Sequence, residues 1–195
     1  MKKIYLVLLV CSSIVTSAQS SKREEGIKIG IKAGINFSNF NGDVPDNNLM
    51  RNGLHFGVLS EIIVSDKFSF QPELLFSAQG FKDDTPGLSS KNRYDYINIP
   101  MMVKYYAYNN LSVEFGPQVG FLINADNRSN AGNADIPDQN IVDFGMNLGL
   151  GYELKNGIFF QARYNLGITN VNGGDDNDKI KYTNSVFQLS VGVLF

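Results

Sequence analysis

Lys28, Lys32, Lys104 and Arg163 stand against Glu61, Glu73, Glu114 and Glu153 in a chain where only 18% of residues are charged and 43% are hydrophobic. Two chemistries are open to such a set. Clustered carboxylates can carry acid–base work or an ion path, whereas a balanced set can close on itself as ion pairs. His55 is the sole histidine. Beside Ser60 or Glu61 it suggests a hydrolase acting on membrane lipid. In an extended strand, however, His55 and Ser60 point to opposite faces, and no G-x-S-x-G turn is present. The stretch GGDDNDK (Gly173 to Lys179) is acidic enough to hold a divalent cation weakly, but it lacks the D-x-D-x-D-G spacing of a calcium loop. GIKIGIKAG (Gly26 to Gly34) places its glycines on one strand face with no helix following, so it is not a phosphate loop. No catalytic, cofactor or metal residue is assigned from these motifs. The eight charges are read as a structural network inside whatever encloses them.

Period-two alternation says what encloses them. Eight segments carry it: 27–37, 54–64, 68–79, 97–105, 111–121, 142–153, 158–168 and 187–195. In the first, Ile27, Ile29, Ile31, Ala33, Ile35 and Phe37 share a face opposite Lys28, Gly30, Lys32, Gly34 and Asn36. No long segment has helical period. Three connections are tight, at 65–67, 107–110 and 155–157, the last containing the Asn-Gly pair typical of hairpins. Four are long and polar, at 39–52, 82–93, 124–140 and 171–184. Short and long connections alternate, so they fall on opposite ends of an up-and-down antiparallel meander. Strands of about 11 to 13 residues at ~3.3 Å each, tilted by about 40°, climb on the order of 30 Å, enough to cross a bilayer.

Alternation alone does not say which face is outside. A soluble lipocalin-like barrel buries its apolar face, and an outer-membrane barrel exposes it. Three features favour the membrane. The apolar face is nearly uninterrupted on all eight segments. The opposite face is rich in glycine and carries few charges, of both signs, as a narrow lumen requires. Aromatics gather near segment ends, among them Phe37, Phe68, Tyr105, Tyr152, Phe160 and Phe195, where interfacial girdles lie.

The first residues, MKKIYLVLLVCSSIVTSAQS, have a basic start, a short apolar run and the small-residue site Thr16-Ser17-Ala18. They are expected to be a secretory signal peptide over residues 1–18, leaving a barrel domain over 19–195. A lipoprotein signal at Cys11 is the weaker alternative, because Val10 is not small. Without Lys2 and Lys3 the basic residues fall from 17 to 15 against 19 acidic ones, a net charge of −4. That disfavours a nucleic-acid partner. Cys11, the only cysteine, leaves with the leader, so neither disulfide nor thiol chemistry is expected.

GIKAGINFSNF (Gly30 to Phe40), FQPELLFSAQG (Phe70 to Gly80), YINIPMMVKYY (Tyr96 to Tyr106), EFGPQVGFLI (Glu114 to Ile123) and DFGMNLGLGYEL (Asp143 to Leu154) together resemble the PorT-like outer-membrane β-barrel family of Gram-negative bacteria. The resemblance covers essentially the whole mature chain. It implies an outer-membrane location, an eight-stranded barrel and, through the family's namesake, a link to protein secretion; it transfers no functional residue.

The expectation is an all-β, eight-stranded antiparallel up-and-down transmembrane barrel in the cell outer membrane. It is read as non-enzymatic and without cofactor, structural or surface-interacting or accessory to secretion, its lumen filled by side chains. A narrow porin, a lipid-modifying enzyme and a soluble lipocalin-like binder are the alternatives. Expected partners are outer-membrane lipid, the outer-membrane assembly machinery and an unidentified surface or secretion protein. The terminal strand SVFQLSVGVLF closes the barrel, and Phe195 is read as its assembly signal.

Overall fold

The computed structural model describes residues 25–42, 48–85, 88–108, 110–129, 132–135, 140–171 and 181–195. Nine strands form: β1 (Gly26–Gly42), β2 (Asn48–Ile63), β3 (Phe68–Thr85), β4 (Leu88–Tyr108), β5 (Leu111–Ser129), β6 (Gly132–Asp135), β7 (Val142–Glu153), β8 (Ile158–Gly167) and β9 (Tyr182–Leu194). Every described element is a strand. Neighbours run β4-β3-β2-β1-β9-β8-β7-β5, and β4 pairs with β5 to complete the ring. All pairings are antiparallel. Eight strands therefore close the barrel, and β6 is a short arm folded back on the outer end of β5. The leader expected over residues 1–18 and the acidic stretch at 173–179 lie outside the described residues.

The pleat sends alternate residues to opposite sides. Ile27 is 69% exposed while Glu61 is fully buried. Leu54, Phe56 and Val58 point outward, as do Leu148, Leu150 and Tyr152. Lys32, Asn36, Glu73, Glu114 and Arg163 point inward. This is the inverse of a soluble lipocalin-like barrel, so that alternative falls. An apolar exterior of this extent is stable only against hydrocarbon.

β1 to β5 and β9 run longer at the outer end than the alternation predicts, while β7 and β8 do not. β3 and β4 stay paired as far as Thr85 and Leu88, so most of the expected connection at 82–93 is a hairpin. A strand ladder needs only backbone hydrogen bonds, so it continues past the point where the apolar pattern stops. Gly80 marks the change: its φ of 134° is a left-handed conformation that favours glycine. Beyond it Phe81 packs against Phe40, 5.1 Å between ring centroids. At the opposite end Gly157, φ 82°, makes the tight turn that the Asn-Gly pair predicts.

Candidate functional site

The lumen is stratified, and each layer follows from which residue type falls on the inward positions at that height. At the short-turn end Leu59, Phe159 and Leu194 form a small apolar cluster. Beside it Lys28 pairs with Glu153 at 3.0 Å, the Lys28 side chain remaining 37% exposed.

Above the apolar cluster lies a charge layer. Lys32 (β1) meets Glu73 (β3) at 2.7 Å. Arg163 (β8) reaches the same carboxylate with two nitrogens, at 2.8 and 3.0 Å, and Glu114 (β5) at 3.1 Å. Lys104 (β4) lies 3.8 Å from Glu114 and 3.4 Å from Glu61 (β2). The six side chains thus alternate in sign along one path: Lys32, Glu73, Arg163, Glu114, Lys104, Glu61. Three positive charges balance three negative ones. Neutral groups occupy most of the remaining hydrogen-bonding positions, and Arg163 Nε is left without a partner. Gln161 accepts from Lys32 at 3.1 Å and donates to Glu114 at 3.0 Å. Gln71 accepts from Lys104 at 3.1 Å and donates to Glu73 at 2.7 Å. The Tyr106 hydroxyl donates to Glu61 at 2.6 Å. Six ions removed from water persist only when paired and hydrogen-bonded on this scale. β7 contributes space instead of charge, because a Cβ on Gly151 would run into Glu114 and Ser112.

A neutral layer follows. His55 Nδ1 lies 2.7 Å from Asn36 Oδ1, and Nε2 lies 2.8 Å from Ser190 Oγ. Asn36 donates to Ser77 at 2.9 Å and accepts from Gln188 at 3.0 Å. The order Ser190, His55, Asn36 has the connectivity of a nucleophile, its base and an orienting group. The charge layer lies on one side of these residues and an aromatic cluster on the other. A Cβ on Gly34 would sit only 2.7 Å from the His55 ring, so the ring packs directly against the β1 backbone. The arrangement is a satisfied hydrogen-bond chain. Ser60 lies on the opposite face of β2 from His55, and Glu61 belongs to the charge layer.

Near the outer end Phe40, Tyr94, Tyr96 and Val171 form a buried cluster, with Phe81 and Tyr182 packed around them. Phe40 is 5.1 Å from Tyr94 and 5.2 Å from Tyr182. Phe195 stands at the other end of the molecule. Its backbone exchanges hydrogen bonds with Ile29 at 2.9 and 3.1 Å across the β1–β9 seam, and its ring is directed outward.

All eight charged residues singled out in the sequence are therefore ion-paired, six of them in one connected layer and Lys28 with Glu153 apart from it. Sequence reasoning missed the glutamines, Tyr106 and the His55 chain. Their only signal is inward parity, which neutral residues share with every lumen position.

Three comparisons place these features among known proteins. The model of the outer membrane protein beta-barrel domain family matches residues 17–173. The attachment invasion locus protein Ail of Yersinia pestis is 13% identical; the match covers 88% of this chain and all of that one, with a TM-score of 0.52. Neisserial surface protein A is 12% identical, with the same shares covered and a TM-score of 0.55. At such identities the likeness is one of fold. No curated protein matches the chain.

Proposed function

The chain belongs to the outer membrane protein beta-barrel domain family, and from that premise we propose that it acts in the outer membrane as a non-enzymatic barrel with a lumen closed by its own side chains. Its work is then done at its surfaces: the apolar wall holds it in lipid, and the outer ends of the strands meet a partner or assist secretion. Within the family, the five stretches quoted above support placing it with the PorT-like barrels.

The charge layer is the observation that carries this reading. Side chains from β1, β2, β3, β4, β5 and β8 join in it, and an eight-stranded interior is only just wide enough for side chains to fill. Opening it would leave buried charges unpaired. The apolar cluster below and the aromatic cluster above add two further barriers to ions. Packing around Ser190, His55 and Asn36 supports the non-enzymatic part.

Conductance of the purified barrel in planar bilayers tests the proposal. The expected trace stays at the baseline of the protein-free membrane. Reproducible open-channel steps of one size would establish the narrow porin instead.

A further inference from the structure

We infer that the outer end of the lumen holds a site for a hard, oxygen-seeking metal cation, built from Asp143, Asn184, Tyr96 and Asn98. The sheet register brings these residues together. Asp143 (β7) stands beside Gly120 (β5), and Gly120 stands beside Asn98 (β4), with Tyr96 on the same strand. On β8 Gly167 stands beside Gly145, two residues along β7 from Asp143, and a Cβ on it would lie 2.6 Å from the Asn184 (β9) carbonyl oxygen. Gly120 therefore clears a gap beside Asp143. Asn98 leans into this gap: a Cβ on Gly120 would lie 2.7 Å from Asn98 Oδ1, 3.4 Å from the Tyr96 ring and 3.6 Å from the Asp143 carbonyl. The Asn184 side chain lies beside the Asp143 carboxyl group.

Four polar atoms in this cluster are buried with no hydrogen-bond partner: Asp143 Oδ1, Asn184 Oδ1, Tyr96 Oη and Asn98 Nδ2. Tyr96, Asn98 and Asn184 are each 1% exposed. Buried polar atoms are nearly always paired, so four orphans on neighbouring residues point to a missing ligand. Their chemistry says which. The amide oxygen and nitrogen of Asn98 exchange by a simple flip, which makes all four available atoms oxygen. Each carboxylate of the charge layer faces a cation, whereas no cation of the described residues faces Asp143. The ligand must therefore bring positive charge. One carboxylate with neutral oxygens, and no nitrogen or sulfur, suits Ca²⁺ or an alkali ion, not a transition metal.

The test uses Tb³⁺ as a Ca²⁺ surrogate with the full mature barrel folded in detergent micelles. The chain has no tryptophan, so excitation at the tyrosine band sensitises only Tb³⁺ bound close to a tyrosine. The expected result is Tb³⁺ emission that excess Ca²⁺ displaces. It falls at least tenfold in Asp143→Asn and in Tyr96→Phe, both still folded by their heat-modifiable mobility on gels. Emission unchanged in the folded variants would assign the ion elsewhere and overturn the site. Crystals of the wild type soaked in CaCl₂ provide a measurement independent of the variants. Anomalous density between Asp143 and Asn184 supports the site, and ordered water alone there refutes it.

Discussion

Arg163 is where the lumen is most sensitive to a single change. It binds Glu73 through two nitrogens and Glu114 through one, and it comes from a strand that supplies no other charge to the layer. Arg163→Met removes one positive charge from a balanced set of six. Glu73 keeps Lys32 and Glu114 keeps Lys104, so the loss should sit at the lower end of the range for breaking buried pairs, about 3 kcal/mol. Urea unfolding followed by tyrosine fluorescence measures it. The double variant Arg163→Met with Glu73→Gln restores the balance of charge, and it should recover at least about 1 kcal/mol of that loss. A double variant no more stable than the single one would show that packing, not charge, dominates at this position. The residue types were legible in the sequence as a mixed-sign inward set. The partners were not, because Arg163 and Glu73 lie 90 positions apart on strands that are not neighbours in the ring.

At the scale of the element, glycine does more than permit turns. Gly151 on β7 lies against the charge layer, where a Cβ would stand 2.6 Å from Ser112 Oγ and also meet Glu114. Gly151→Leu should push Glu114 away from Arg163 and Lys104. The expected cost is about 2 kcal/mol, typical of overpacking a filled interior. Leu150→Val on the outward face of the same strand is expected to change stability by less than about 1 kcal/mol, since it only alters contact with lipid or detergent. Comparing the two urea midpoints checks the inward and outward assignment of β7 directly. Alternation gave each strand its faces, and the Asn-Gly pair gave the Gly157 turn. The outer strand ends were not legible, because a backbone ladder carries no hydropathy signal once the strand leaves the bilayer.

At the scale of the whole molecule, the ring closes where β1 meets β9. Phe195 contributes there in two separable ways, by backbone hydrogen bonds to Ile29 and by an outward ring that is 57% exposed. Phe195→Ala keeps the first and removes the second. If the ring serves assembly, outer-membrane levels in cells should fall several-fold, while the variant refolded in detergent keeps its urea midpoint within about 0.5 kcal/mol of wild type. Equal membrane levels would remove the assembly role. The same separation explains what was decided where. The sequence by itself determined an all-β chain of eight barrel strands, its inward and outward faces, and its place in a membrane, because these depend on period-two pattern and connection length, which are local. Only the tertiary structure decided which charges pair, which glycines open space, and where Asp143 stands with no cation of the described residues facing it. Those facts depend on the stagger between strands distant in sequence, and that stagger is set only when the ring closes.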